Sequence, residues 1–359
     1  MKKILTKRSI LLALLLIGLV ILPFMGLSNY MVRVLVNCLL YSVLALSLNM
    51  FSGICGQISL GHIGFFCIGA YTSALMSLRL NAPFGLCFLS AGVLAAVTAI
   101  LIGIPALKLS GGYLAIITIS FSEIIRLVIV NWASFTRGPM GLPGIPPISL
   151  FGWRFSSNIP YYFFMLVFCI IVVILMKHII NSSFGRDLQA IRDDEIAAEA
   201  MGINNYWNKV VVFACAAFIA GLAGSVYAHC MKFIDPTSFK TDASFLVLSM
   251  VVLGGMGSIS GSIIAAVVLT ILHLITLLPK IPRCMICVSA LFASEFLADA
   301  TRPSIRILIQ RLFPLEQSKN FTVSVGELKL PLENLNIPLG YLACMARKRT
   351  FYCKRFLPD

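Results

Sequence analysis

Apolar runs about 20 residues long dominate this chain, at about 10–28, 31–51, 57–78, 86–106, 112–132, 161–180, 209–230 and 243–278. A helix rises about 1.5 Å per residue, so each run is long enough to cross the roughly 30 Å of hydrocarbon in a bilayer. The last is long enough for two helices, interrupted at Gly254-Gly255-Met256-Gly257-Ser258-Ile259-Ser260-Gly261. In lipid a backbone must satisfy its own hydrogen bonds, which restricts spanning structures to helices and closed barrels. Runs this long with short connections predict an all-α fold. It is a polytopic transmembrane helical bundle of about 8–10 membrane segments, some of them broken.

Composition excludes an ordinary soluble domain. Hydrophobic residues make up 59% of the 359 residues and charged residues 12%, against about 25% charged in soluble chains; the mean hydropathy is +0.96. The net charge of +14 raises the question of nucleic acid, but the 16 Lys and Arg of residues 1–279 sit singly at the ends of apolar runs. That is how membrane proteins mark their cytoplasmic face, so no nucleic-acid partner is expected and the lipid bilayer is. Of the 11 cysteines, Cys38, Cys67, Cys169 and Cys215 lie within apolar runs and read as small buried hydrophobes, not a disulfide framework.

Lys2, Lys3, Lys7 and Arg8 precede the first run with no acid among them, which predicts a cytoplasmic N-terminus. Counting crossings from there puts the Pro-rich 133–158 loop outside and the polar 181–208 loop inside. The first run also reads as a cleaved signal peptide, since Gly26-Leu27-Ser28 is a small-x-small site; cleavage would leave the later topology unchanged. Residues 1–279 form the membrane domain. The remainder, 280–359, carries 12 of the 28 Lys and Arg, has no run long enough to span beyond Leu315, and reads as a divergent tail.

Within 181–208, residues 187–201 are good helix formers, Gly202 is a natural stop, and Leu188, Ile191, Glu195, Ala198 and Met201 share one face. A short amphipathic helix at the cytoplasmic surface follows. Helices that lie on headgroups are rich in Lys and Arg. This one carries Asp187, Asp193, Asp194, Glu195 and Glu199, which suits docking to a protein better than floating on an anionic leaflet.

The string from Phe184 to Asn204 resembles the cytoplasmic coupling loop of the branched-chain amino acid permeases of ABC importers, the LivM-type subunit in particular. Asn49 to Tyr71 (NMFSGICGQISLGHIGFFCIGAY), Gly112 to Asn131 (GYLAIITISFSEIIRLVIVN), Gly138 to Pro146 (GPMGLPGIP), Ala220 to Ala228 (AGLAGSVYA) and Val252 to Gly261 (VLGGMGSISG) resemble the same family in the same order. The likeness covers roughly residues 30–279. Beyond Pro279 it stops, as a shifted reading frame or a degenerate gene end would produce. The importer loop pattern is E-A-A, three residues, then Gly; Ala197, Ala198 and Gly202 keep that register, while Ile196 stands in place of the Glu and Glu195 sits one position earlier.

The resemblance implies a multi-pass subunit of a bacterial inner membrane that moves leucine, isoleucine or valine and catalyses no bond chemistry. It implies three kinds of partner: a second homologous permease, two cytoplasmic ATP-binding subunits and a periplasmic substrate-binding protein. No G-x-x-x-x-G-K-[ST] loop occurs in the chain, so any ATPase is a separate subunit. The coupling candidates are Arg192, Asp194, Glu195, Ala197, Ala198, Glu199 and Gly202. Urea and short-amide permeases resemble the same motifs and remain open as an alternative.

Two polar, glycine-rich stretches interrupt apolar runs: Gln57, Ser59, Gly61, His62 and Gly64 in the third, and Gly254, Gly255, Gly257 and Ser258 in the last. Small residues at Gly61, Gly64, Gly69 and Ser73 also serve close helix packing. As broken helices, both stretches are candidates to line the translocation path. Glu123 and Arg126, three apart in the fifth run, read first as a neutralised intramembrane pair. An ion-coupled secondary transporter would need further intramembrane acids, and Glu123 alone qualifies. His62, His229 and His273 lack an acid or Cys at metal spacing, Cys284-Met285-Ile286-Cys287 is a lone C-x-x-C, and no H-E-x-x-H or G-x-S-x-G occurs. No metal, cofactor or catalytic residue is expected.

Overall fold

The computed structural model describes residues 19–20, 23, 28–109, 112–150, 153–155, 157–276, 322–325 and 328–331. The expectations for Lys2 to Arg8, most of the first run and the C-x-x-C lie outside these residues. Two compact units divide the chain, Met1–Ala300 and Thr301–Asp359. In the second, strands β5 (Thr322–Val325) and β6 (Leu328–Pro331) form an antiparallel hairpin.

The first unit is a helical bundle. Its long helices are α1 (Asn29–Asn49), α2 (His62–Leu80), α3 (Phe84–Ala106), α4 (Gly112–Asn131), α6 (Asn158–Asn181) and α9 (Asn205–Met231). A π turn, Met50–Ile54, extends α1, and six helices are long and apolar enough to cross a membrane. Between them lie the short α5 (Ala133–Thr136) and the pair α7 (Ser183–Asp193) and α8 (Glu195–Ala200); α10 (Thr241–Gly254) and α11 (Ile259–Thr276) follow α9. The expected all-α polytopic bundle is therefore what forms.

Three local expectations shift. The third run does not begin a helix at Gln57, because Gly56 turns the chain with φ +76° and residues 55–61 form a loop before His62. The last run breaks only across residues 255–258, where Gly255 and Gly257 take φ of +86° and +87°, values that an L side chain adopts at a cost. The single helix expected over 187–201 is two. Asp194 leaves helical geometry at φ −157°, and its carboxylate accepts from the N–H groups of Ile196 and Ala197 to start α8. Gly202 does end that helix: its N–H donates to Glu199 O, and the Ile203 N–H to Ala198 O, the paired bonds of a Schellman stop.

α9 is the centre of the bundle, buried along most of its length between α2 and α3. Glycine makes this possible. A Cβ on Gly69 of α2 would stand 2.2 Å from the Gly221 carbonyl oxygen, and one on Gly224 would stand 2.2 Å from that of Phe66, so the two backbones touch directly. Ser73 and Ser225 hydrogen-bond across the same seam at 2.7 Å. On the outside, α3 and α6 present large exposed apolar side chains such as Leu86, Val93, Leu101, Ile171 and Ile174, suited to lipid. Cys215, expected inside, is exposed on α9, while Cys38, Cys67 and Cys169 are buried as free thiols.

Helix parity gives the bundle two ends. At one end lie the 55–61 loop, residues 107–109, α7–α8 and the 255–258 turn. At the other lie residues 132–157 and 232–240, pinned together by the pairing of β1 (Leu142–Pro143) with β4 (Phe233–Ile234). A separate hairpin there joins β2 (Ser149–Leu150) and β3 (Trp153–Arg154). The 133–158 and 181–208 connections thus sit at opposite ends, as the crossing count requires.

Candidate functional site

The α7–α8 connector projects from the bundle yet is anchored by a buried edge. Leu188, Ile191 and Ala198 are buried, whereas Ile196 and Met201 are 82% and 83% exposed. Met201 therefore leaves the inward face assigned to it from periodicity. Ala198 keeps the inward face across the break at Asp194, whereas Met201 falls at the cap where α8 ends. Two large apolar side chains, one on this six-residue helix and one at its cap, form a surface that no other described residue covers. Arg192, Asp193, Asp194, Ala197 and Glu199 are exposed on the same connector. Beside it, Leu107, Lys108, Glu199, Gly202, Asn205, Tyr206 and Lys209 line a cleft of about 560 Å³.

Below that surface the connector grips the bundle in two places. Lys209 Nζ lies 2.6 Å from Glu195 Oε2, and Gln57 Nε2 donates to Glu195 Oε1 at 2.6 Å. Asn205 Nδ2 donates to the Glu195 carbonyl at 2.6 Å. One carboxylate thus ties α8 to α9 and to the 55–61 loop. The Cys55 thiol lies close by, and burial pushes its pKa up to about 12, with Glu195 adding to the rise and Lys209 opposing it.

The second grip is Arg192, whose Nη1 donates to Gly53 O at 3.0 Å. Gly53 sits in the π turn that closes α1, where end carbonyls lack intrahelical partners and the helix dipole favours a cation. Asn49, one turn back, holds the 255–258 turn: its Nδ2 donates to Ser258 O at 3.1 Å and its Oδ1 accepts from the Gly257 N–H at 2.8 Å. A Cβ on Gly53 would stand 1.9 Å from Asn49 Oδ1 and 2.3 Å from Gly257 N, so the approach of the two breaks requires glycine there.

The two glycine-rich stretches predicted as separate path candidates therefore meet in part. Gly257 and Ser258 join the π turn through Asn49, and Gln57 joins the connector through Glu195. The other candidates pack elsewhere. Gly61 and Gly64 lie against Thr118 and Ser122 of α4, and the Leu60 N–H donates to Thr118 Oγ1. Ser59 is buried, and its Oγ accepts from the Gly61 N–H. His62 Nε2 is hydrogen-bonded to Ser47 Oγ at 2.6 Å, an interior histidine with a partner. Gly254 and Gly261 touch backbone to backbone, and Ser258 Oγ accepts from the Gly261 N–H, so that hydroxyl starts α11. Sequence reasoning missed Asn49, Gly53, Asn205 and Lys209. A lone Asn and a lone Lys inside apolar runs were the available signals.

Glu123 and Arg126 form the expected i,i+3 pair, with Arg126 Nε 3.0 Å from each carboxylate oxygen and Nη2 also bonded to Oε1. Their side chains are 38% and 20% exposed. His229 is satisfied at the opposite end of the bundle. The Pro146 carbonyl 2.7 Å from Nδ1 can only accept, so Nδ1 donates and Nε2 accepts from Ser73 Oγ at 3.0 Å. Among the described residues no group of three or more His, Cys, Asp or Glu is placed to hold a metal ion.

An apolar perimeter and six helices long and apolar enough to cross a membrane define the class, a multi-pass membrane protein. Comparison with known proteins gives the family. The family described as branched-chain amino acid transport system / permease component matches residues 30–283. The high-affinity branched-chain amino acid transport system permease protein LivM of Escherichia coli strain K12 is 35% identical over 288 residues, covering 74% of this chain and 68% of that protein. Its counterpart in Salmonella typhimurium is 36% identical over the same shares. A probable LivM of Methanocaldococcus jannaschii is 27% identical over 263 residues, 62% of this chain and 74% of that one. The chain belongs to the branched-chain amino acid permease family. No solved structure matches it.

Proposed function

We propose that this chain is the membrane-spanning permease subunit of an ABC importer for leucine, isoleucine and valine in a bacterial inner membrane. It works beside a second, homologous permease. One of two ATP-binding subunits docks on α7–α8, that end and the N-terminus face the cytoplasm, and a periplasmic substrate-binding protein delivers the amino acid at the β1–β4 end. The observation that carries this reading is the connector itself, anchored beneath through Glu195 and Arg192 and open above through Ile196 and Met201. The chain has no phosphate loop, so work on the solute must arrive through such a contact.

ATP binding draws the two ATP-binding subunits together and displaces the connector, which tilts the bundle between inward and outward access. The amino acid shifts that equilibrium only through contacts that differ between the two states. Glu123 is already neutralised by Arg126, which leaves a proton- or sodium-coupled cycle without a free intramembrane carrier among the described residues.

The test is reconstitution of the complex in proteoliposomes with radiolabelled leucine. ATP-dependent uptake is expected, together with loss of co-purifying ATP-binding subunits in Ile196→Asp and Met201→Asp. Uptake that ignores ATP and follows the proton gradient would overturn the assignment.

A further inference from the structure

The bonds around Gly53 join parts of the chain that lie far apart in sequence. Arg192 on α7 holds the last turn of α1, and Asn49 in α1 holds the turn between α10 and α11. Neither bond involves α6 or α9, the two spans to which the connector is covalently attached. Both are made at points of close backbone approach, since Gly53 and Gly257 admit no side chain between them. Gly257 also faces Arg192, whose Nη1 would stand 3.2 Å from a Cβ there. Three separate backbone segments therefore converge on one guanidinium and one carboxamide. Each of these donors and acceptors is specific in direction, so sliding any one segment alone breaks a bond.

The local geometry suits transmission of force. A π turn carries an extra residue in the helix and recurs at functional sites because it frees backbone groups. Here the freed Gly53 carbonyl takes a charge-assisted bond, which is stronger than a neutral one. In the same turn Ser52 is buried with its hydroxyl unpartnered, so the turn keeps a polar group that a second arrangement could satisfy.

We propose that Asn49, Gly53, Arg192 and the 255–258 turn form a strut that makes the connector, the end of α1 and the α10–α11 hairpin one moving body. Displacement of α7–α8 is then delivered to α1 and to the broken α10–α11 pair, not only to the spans that flank the connector. The substrate and the ATP-binding subunits in this proposal rest on the reading given above. Arg192 and Asn49 act as positioning residues, since they reach the solute's path only through backbone they hold.

The experiment compares Arg192→Met, Arg192→Lys and Asn49→Ala in the reconstituted complex, measuring leucine moved and ATP hydrolysed in the same vesicles. In Asn49→Ala, away from the docking surface, ATP hydrolysis is expected to continue while leucine moved per ATP falls roughly tenfold, the order expected for lost hydrogen bonds; Arg192→Met, on the connector itself, is read only through the same fall in leucine moved per ATP. Arg192→Lys recovers part of the ratio, because an ammonium can still donate to Gly53 O. A purely structural role would lower both rates together, and an unchanged ratio overturns the strut. A second measurement leaves both residues intact. Nitroxide labels at Arg186→Cys and Met256→Cys, with the other cysteines replaced by serine, should hold one separation in nucleotide-free and ATP-bound complex. A separation that changes between those states overturns the proposal. A wild-type complex that moves no leucine overturns the substrate assignment alone, since the label separation judges the strut whatever the solute.

Discussion

Removing one partner of the Glu195–Lys209 pair should cost far more than removing the other. The Lys209 side chain is 6% exposed and that of Glu195 is 39% exposed. In Lys209→Met the carboxylate keeps the Gln57 bond and rehydrates through its open side, while the methionine fills the volume of the lysine stem. The cost is about 0.5–1 kcal/mol, the scale of a half-exposed ion pair. In Glu195→Gln an ammonium stays at 6% exposure with no anion beside it. Leaving a fully buried charge unpaired costs about 3–5 kcal/mol, and the open side of this site reduces that to about 2–3 kcal/mol. The double variant should fall near Lys209→Met alone, because removing the ammonium removes the penalty. Reversible unfolding in mixed micelles reads the three values and closes the cycle. Equal costs for the two single variants, or a larger one for Lys209→Met, would refute the view that burial of Lys209 sets the energy of this contact.

The same logic of position separates two glycines. Gly69→Ala places a Cβ 2.2 Å from a backbone oxygen of α9, with no flexible side chain to yield, whereas nothing lies within 4 Å of a Cβ at Gly85. Gly69→Ala should therefore cost about 3 kcal/mol by overpacking, and Gly85→Ala should gain about 0.5–1 kcal/mol of helix propensity, both read as shifts of the unfolding midpoint. Cys55, with its pKa raised to about 12, stays protonated at neutral pH. In a chain that keeps only this cysteine, maleimide labelling should be very slow at pH 7–8; fast labelling at pH 8 would contradict its burial. Gly202→Ala, at φ +83° with nothing within 4 Å, should cost about 1 kcal/mol through backbone strain alone. Asn should cost less at that position, as measured by the stability of the purified chain.

What was legible in the sequence follows from what each scale of pattern encodes. Run length against bilayer thickness gave the spans, because one apolar helix is a self-contained solution to backbone bonding. The stop at Gly202 was legible because only six consecutive residues, Ala198 to Ile203, build it. The kink at Asp194 was not, since helix propensity scores Asp mid-helix as a mild penalty while its capping bonds create a new start. Ala198, past the break, still falls on the inward face, but the short helix ends at Met201, its cap, and the repeat no longer holds there. The meeting of Gly53 with Gly257 was out of reach for a different reason. Nothing in a single sequence relates residues some 200 positions apart when both are glycine.

The polar residues inside apolar runs carry the missing information in half. Asn49, Ser47, His62, Ser73, Ser225, His229 and Lys209 are each expensive to bury in hydrocarbon, so each announces that a partner exists. The sequence does not say which. In the structure five of them resolve among themselves, as Ser47 with His62 and as Ser225, Ser73 and His229 in a row. Those contacts hold α1 to α2 and α2 to α9. The remaining two, Asn49 and Lys209, find their partners not in another span but in loop backbone and in the connector. That division separates bonds between spans from bonds to the connector and the 255–258 turn, and on the function proposed above the second set is the one a moving connector carries along.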